Sequence, residues 1–213
     1  MSRLSHGVIF RLRRHLTRLY ESSKALDMKM DISPEELENF IYEVIDANAM
    51  TDGVHLRLMV SRGLKPTGFQ SPYITIGPPT IAIVPEYKEP NEELFKRGLR
   101  LFTVHVRRSA PDTQDPALNA HSKHVCIQGC IQAHHAGYDE ALMLDQNGFV
   151  ATCNSTNFFI VKNGVVIAPT RKAQLRGVTR GLLQHHVQHA PSPPMCVYLA
   201  FPSCVPECDA HQK

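Results

Sequence analysis

A chain of 213 residues that is 43% hydrophobic can bury one domain core or two small ones. A net charge of +3 is too small to argue for a nucleic-acid partner, and no apolar run reaches transmembrane length. The six cysteines lack the spacing of a secreted disulfide framework, so the expected setting is reducing and cytoplasmic. The basic stretch Arg3, Arg11, Arg13, Arg14 and Arg18, with no acid before Glu21, also fits an organellar import signal.

Ser33-Pro34-Glu35-Glu36 carries a capping box with proline at the first helical position. Leu37, Phe40, Ile41, Val44 and Ile45 follow at helical spacing, which predicts a helix to about Ala49. Val54–Ser61 alternates as a strand, residues 66–79 are a Pro/Gly-rich loop, and Thr80–Val84 is a β-branched, buried strand. Residues 87–91 break the chain before a short helix, Glu92–Arg97, ended by Gly98. A strand over Leu99–Val106 leads to a linker at Ser109–Pro116 and then to a helix over 117–136 that carries Lys123 just inside it.

Two hairpins come next. The turn Asp145-Gln146-Asn147-Gly148 joins Glu140–Leu144 to Phe149–Thr152, and Lys162-Asn163-Gly164 joins Phe158–Val161 to Val165–Ala168. A last helix spans Thr179–His189. Beyond it, five prolines and little periodicity predict an irregular tail over 190–213. Cys204, Cys208 and His211 in that tail, and Cys126 with Cys130 on one helix face, do not make a paired four-ligand zinc set, so no metal is expected.

Lys123 is the residue from which chemistry is argued. An ε-amine attacks a carbonyl only when part of its population is neutral, which burial or nearby cations such as protonated His121 and His124 promote. The pattern alone favours a plainer role, a solvated helix lysine. Gly177-Val178-Thr179 opening a helix offers unpaired N–H groups suited to a phosphate, or a simple N-cap at Thr179.

Taken together and in order, several stretches resemble the class IV (fold-type IV) pyridoxal-phosphate aminotransferases, the branched-chain/D-amino-acid group. They are Ile9–Leu19, Arg57–Gly63, Leu101–Arg108, Leu118–Lys123, Glu140–Asp145, Gly148–Phe159 and Gly177–Arg180. Glu140–Asp145 and the T-C-N-S-T-N-F-F run are most similar to the plant branched-chain-aminotransferase-like subgroup. The resemblance implies an α/β (α+β) fold. Residues 1–95 would form a small N-terminal α/β domain lacking its first strands, and 96–189 an incomplete β-rich cofactor domain, as in a chain trimmed at both ends.

It further implies pyridoxal 5′-phosphate as cofactor, held covalently by Lys123. Arg18, Gly177, Val178 and Thr179 would grip the phosphate, with Thr152 and Asn157 near the ring. The implied substrates are a small or branched-chain amino acid and a 2-oxo acid, and the implied assembly is a homodimer with its site between the domains. Two departures stand out. Thr152 occupies the place of the family's usual glutamate beside the pyridine nitrogen, and His124-Val125 replaces a Leu-Asn pair. The alternatives are an inactive remnant of the family and a lyase of the same family, such as aminodeoxychorismate lyase.

Overall fold

The computed structural model describes residues 2–89, 91–188 and 197–200. It divides into two units, 1–91 and 92–213. The short helix that the sequence reading assigned mostly to the first domain thus falls in the second.

In the first unit, strands β1 (Ser2–Ser5), β2 (Val8–Ile9), β3 (Val54–Ser61) and β4 (Thr80–Tyr87) form one antiparallel sheet in the order β2-β1-β3-β4. The two N-terminal strands escaped the sequence reading. They are short, and β1 enters the sheet by pairing with β3, some fifty residues away in register from Leu4↔Val54 to Ser2↔Leu56. Helix α1 (Leu12–Ala25) and helix α2 (Pro34–Ala47) close the core. Leu12 and Leu16 from α1 meet Leu37, Ile41 and Ile45 from α2 and Leu4, Val54 and Leu56 from the sheet.

The capping box forms as expected. Ser33 N donates to Glu36 Oε2 at 2.7 Å, and Glu36 N donates to Ser33 Oγ at 3.1 Å. β4 extends to Tyr87, beyond the expected Val84, because it pairs with the whole of β3. It is half-exposed rather than buried, so one of its faces does not reach the core.

The second unit begins with α3 (Glu92–Arg97), ended by Gly98 in the left-handed region at φ 73°. β5 (Leu101–Thr103) runs parallel to β6 (Glu140–Leu144), which pairs antiparallel with β7 (Val150–Cys153). β5 is far shorter than the expected Leu99–Val106 strand. At its start Arg100 N donates to the Asp139 carboxylate (2.8 Å), and at its end His105 N turns to Gln132 Oε1 (3.0 Å), so these amides leave the ladder. Asp139 is clamped by Arg97 at 2.9 Å on each oxygen, which holds its carboxyl well below the usual range.

Helix α4 (His124–His135) packs on β6. Gly129 lies against Met143 and Ala141, and Ala133, Ala141, Met143 and Val104 make a small core. A second sheet holds β8 (Ile160–Lys162), the fully buried β9 (Val165–Pro169) and β10 (Val197–Ala200), the last parallel to β9. The Asn163-Gly164 turn adopts positive φ at both residues (53° and 77°), as a two-residue hairpin requires. Helix α5 (Val178–Gln188) completes the unit.

In the segment read as an irregular tail, residues 197–200 therefore form a strand, and its remaining residues, with Cys204, Cys208 and His211, lie outside the described ones. No described helix is long and apolar enough to cross a membrane.

Candidate functional site

Lys123 does not sit inside a helix. The expected helix over 117–136 begins only at His124, and Lys123 is its N-cap, with φ −102° and ψ 18°. The preceding residues are held as turns by their own polar groups. Ala117 N donates to Asp115 Oδ1 (2.9 Å), Leu118 N to Asp115 O (3.2 Å) and Gln114 Nε2 to Ser122 O (3.0 Å). Asp, Asn and Ser compete with helix in this way. The result leaves Lys123 exposed, its Nζ donating to Asn119 Oδ1 at 3.3 Å.

α4 is tied to a distant loop one turn after Lys123. Arg108 directs one guanidinium nitrogen to Cys126 Sγ, while its Nε donates to Ala173 O at 3.2 Å. The start of α4 is thereby joined to the segment that leads into α5. Cys126 is half-buried and Cys130 exposed, so the helix face that they share is not a buried one.

The loop after β7 is organised around a carboxylate. Glu140, at the start of β6, is only 6% exposed. Ser155 N and Oγ donate to its Oε1 at 3.2 and 3.0 Å, Thr156 N donates at 3.1 Å, and Thr156 Oγ1 reaches both carboxylate oxygens at 3.0 Å. Ser155 is thus committed to Glu140. Thr152 is buried on β7 and its hydroxyl donates to Thr156 O at 2.9 Å. Burial, and next to it the negative charge of Glu140, push the neighbouring Cys153 thiol up to about 11.

The start of α5 is held by buried amides. Gln174, 1% exposed, donates from Nε2 to Pro169 O (3.1 Å) and Thr170 O (2.7 Å). Its Oε1 accepts from Asn157 Nδ2 at 3.3 Å. A Cβ on Gly177 would stand 2.8 Å from Asn157 Oδ1, so any larger residue there would force the Asn157 amide to shift. Arg180, in the first turn of the helix, is buried. It donates to Gln184 Oε1 and to Pro169 O, both at 2.9 Å, and burial lowers its pKa to about 10. Gly177 and Val178 are half-buried and Thr179 is exposed, so the turn itself faces solvent.

Arg18 belongs to α1 in the first unit. It is half-buried, and burial lowers its pKa.

Of the residues expected at the site, Asn157 meets Gly177 directly, and Val178 and Thr179 open α5 as anticipated. Lys123 makes a local hydrogen bond to Asn119. Glu140, Gln174, Arg108 and Arg180 were not anticipated as site residues. Glu140 was visible as an acid opening an apolar strand, whereas nothing in the sequence distinguished Gln174 from a surface glutamine. Among the described residues, no group of three or more His, Cys, Asp or Glu side chains is arranged to hold a metal.

The family described as amino-transferase class IV matches residues 1–192. The Arabidopsis thaliana branched-chain-amino-acid aminotransferase-like protein 2 is 34% identical over 185 residues, which is 87% of this chain and 33% of that protein. A T.th. branched-chain amino acid aminotransferase with pyridoxamine 5′-phosphate superposes with a TM-score of 0.82 at 28% identity, over 92% of this chain and 66% of that one. The Escherichia coli branched-chain amino acid aminotransferase gives 0.83 at 25% identity, over 93% and 65%. The chain thus spans a third of its plant relative and just under two thirds of these solved enzymes.

Proposed function

We propose, because this chain belongs to the amino-transferase class IV family, that it moves an amino group between a small or branched-chain amino acid and a 2-oxo acid with pyridoxal 5′-phosphate. Names of relatives support this choice of substrate class and cofactor. The solved T.th. enzyme holds the pyridoxamine form and the plant relative is named for branched-chain amino acids.

The observation that supports the reading is that Arg108 ties Cys126, three residues after the exposed N-cap lysine of α4, to Ala173 O, four residues before the glycine that opens α5. These residues fit a phosphorylated aldehyde. Gly177 has no Cβ to obstruct the turn and directs its own N–H to Leu175 O at 2.8 Å, while the first amides of α5 have no acceptor within the helix, so the turn Gly177–Thr179 would hold the phosphate through the amides of Val178 and Thr179. The motif around Arg18, and not its place in the structure, carries our assignment of that residue to the cofactor phosphate, for which a planar guanidinium is suited.

When bound, the cofactor supplies an electron-poor ring that accepts the electron pair released at the substrate Cα. Lys123 Nζ would hold the cofactor and would serve as the base for the substrate Cα proton. Asn119 accepts a hydrogen bond from that amine and orients it. Thr152 gives a weaker ring partner than a carboxylate, since its single proton is already directed to Thr156 O, and proton removal at Cα is correspondingly slower.

We assign the two units as the two domains of this enzyme, with the boundary moved from the expected 95/96 to 91/92, and a homodimer as its working form. Exposed Leu64, Phe69, Tyr73 and Ile76 on the excursion between β3 and β4 offer apolar surface for a second copy.

The test is borohydride fixation of pyridoxal 5′-phosphate followed by peptide mapping. Label on Lys123 is expected. Label on another lysine with Lys123 untouched would refute its role.

A further inference from the structure

We propose that Gln174 is a positioning residue for the phosphate-holding turn, acting through Asn157 and never touching the cofactor itself. The inference rests on the reading of Gly177–Thr179 given above.

The direction of the amide chain is set by its far end. One end of the Gln174 side chain faces two backbone carbonyls, Pro169 O at 3.1 Å and Thr170 O at 2.7 Å. Carbonyls only accept, so that end is the NH₂ group. The other end is therefore the oxygen, and it meets Asn157, which must present its own NH₂ at 3.3 Å. Asn157 Oδ1 is left pointing at Gly177, 2.8 Å from where a Cβ would be. Reversing Gln174 would bring like ends together at every joint, and reversing Asn157 would set oxygen against oxygen where the two amides meet.

Pro169 O is shared. It also accepts from Arg180 Nη2 at 2.9 Å, within the first turn of α5. The end of β9 and the loop between β7 and β8 are thus fastened to one buried glutamine by three hydrogen bonds, and the start of α5 joins them through Arg180 on Pro169 O and through the packing of Asn157 against Gly177. Gln174 is 1% exposed, so water does not replace a partner that leaves. N–H groups bind an anion best when they are already aimed, and a loosened turn must be reordered on binding.

The experiment uses the full chain and its Gln174→Met variant, which keeps the side-chain length and apolar volume but removes every hydrogen bond. Dissociation constants are measured by calorimetry for pyridoxamine 5′-phosphate and for pyridoxamine. Neither needs a covalent bond to Lys123, and they differ only in the phosphate. The expected result is a loss of about tenfold for the phosphorylated ligand, the scale of a buried hydrogen bond left unmade, with pyridoxamine binding unchanged. Asn157→Ala should give a similar phosphate-specific loss, and the double variant should be little worse than either single one. Asn157→Ala alone decides the matter if Gln174→Met does not fold. Equal binding of both ligands by variant and parent, or an equal loss for both, would overturn the positioning role. Failure of the parent chain to bind pyridoxamine 5′-phosphate more tightly than pyridoxamine would overturn the cofactor reading, and this inference with it.

Discussion

Replacing Glu140 by alanine tests whether a buried carboxylate holds the loop that follows β7. Four donors converge on it: the amides of Ser155 and Thr156 and both of their hydroxyls, at 3.0–3.2 Å. Among the described residues no cation pairs with Glu140, so these dipoles alone offset its burial. Hydrogen bonds to a charged acceptor contribute roughly 1.5–3 kcal/mol each. The four do not simply add, because Ser155 and Thr156 are themselves exposed and their freed donors can turn to water. Removing the carboxylate also removes its own desolvation cost. Glu140→Ala should therefore destabilise the chain by about 2–4 kcal/mol. Glu140→Gln keeps one acceptor oxygen for the two amides, and Thr156 Oγ1 can reverse to accept from the new NH₂, so its cost should be only about 1 kcal/mol.

Urea unfolding of the three proteins gives the ordering, and hydrogen exchange at the Ser155 and Thr156 amides locates the effect. A loss below about 0.5 kcal/mol for Glu140→Ala, within the range of ordinary surface changes, would refute the argument. So would a Gln variant as damaged as the Ala variant, since the geometric account depends on the remaining oxygen.

Arg18→Ala should weaken pyridoxal 5′-phosphate binding by about 2–3 kcal/mol, the size of a lost charge-assisted phosphate contact, and an unchanged titration curve would remove Arg18 from the site. Cys153, neutral until about pH 11 because it is buried beside Glu140, should resist alkylation near pH 8 in the folded chain, whereas exposed Cys130 should react at once; peptide mapping after brief iodoacetamide treatment distinguishes them. His15, lowered to about 4 by burial and then by neighbouring positive charge, should show that midpoint in an NMR titration. Its folded pKa lies below the unfolded value of 6.5, so the unfolded chain takes up the proton first. Its contribution to stability should be complete above pH 6.5 and decline as pH falls towards about 4, and His15→Gln should flatten that part of the stability profile.

Local chemistry was legible in the residues themselves. The capping box at Ser33 and Glu36, the Asn163-Gly164 turn, the stop at Gly98 and the opening of α5 at Gly177-Val178 each depend on neighbours a few positions apart, and each formed as the sequence predicts. The ordered motifs from Ile9 to Arg180 were likewise sufficient to point to the family that matches residues 1–192. Tertiary structure decided the rest. Helix propensity said nothing of Gln114 capturing Ser122 O, which places Lys123 at the N-cap instead of inside the helix. The truncation of β5 follows from Asp139 and Gln132, each some thirty or forty residues from the amide it takes. Glu140 finds its donors fifteen and sixteen residues on, and Gln174 meets Asn157 across two strands. A hydrogen-bond partner that is distant in sequence leaves no periodic trace, because the burial that makes such a bond matter exists only once the chain has folded.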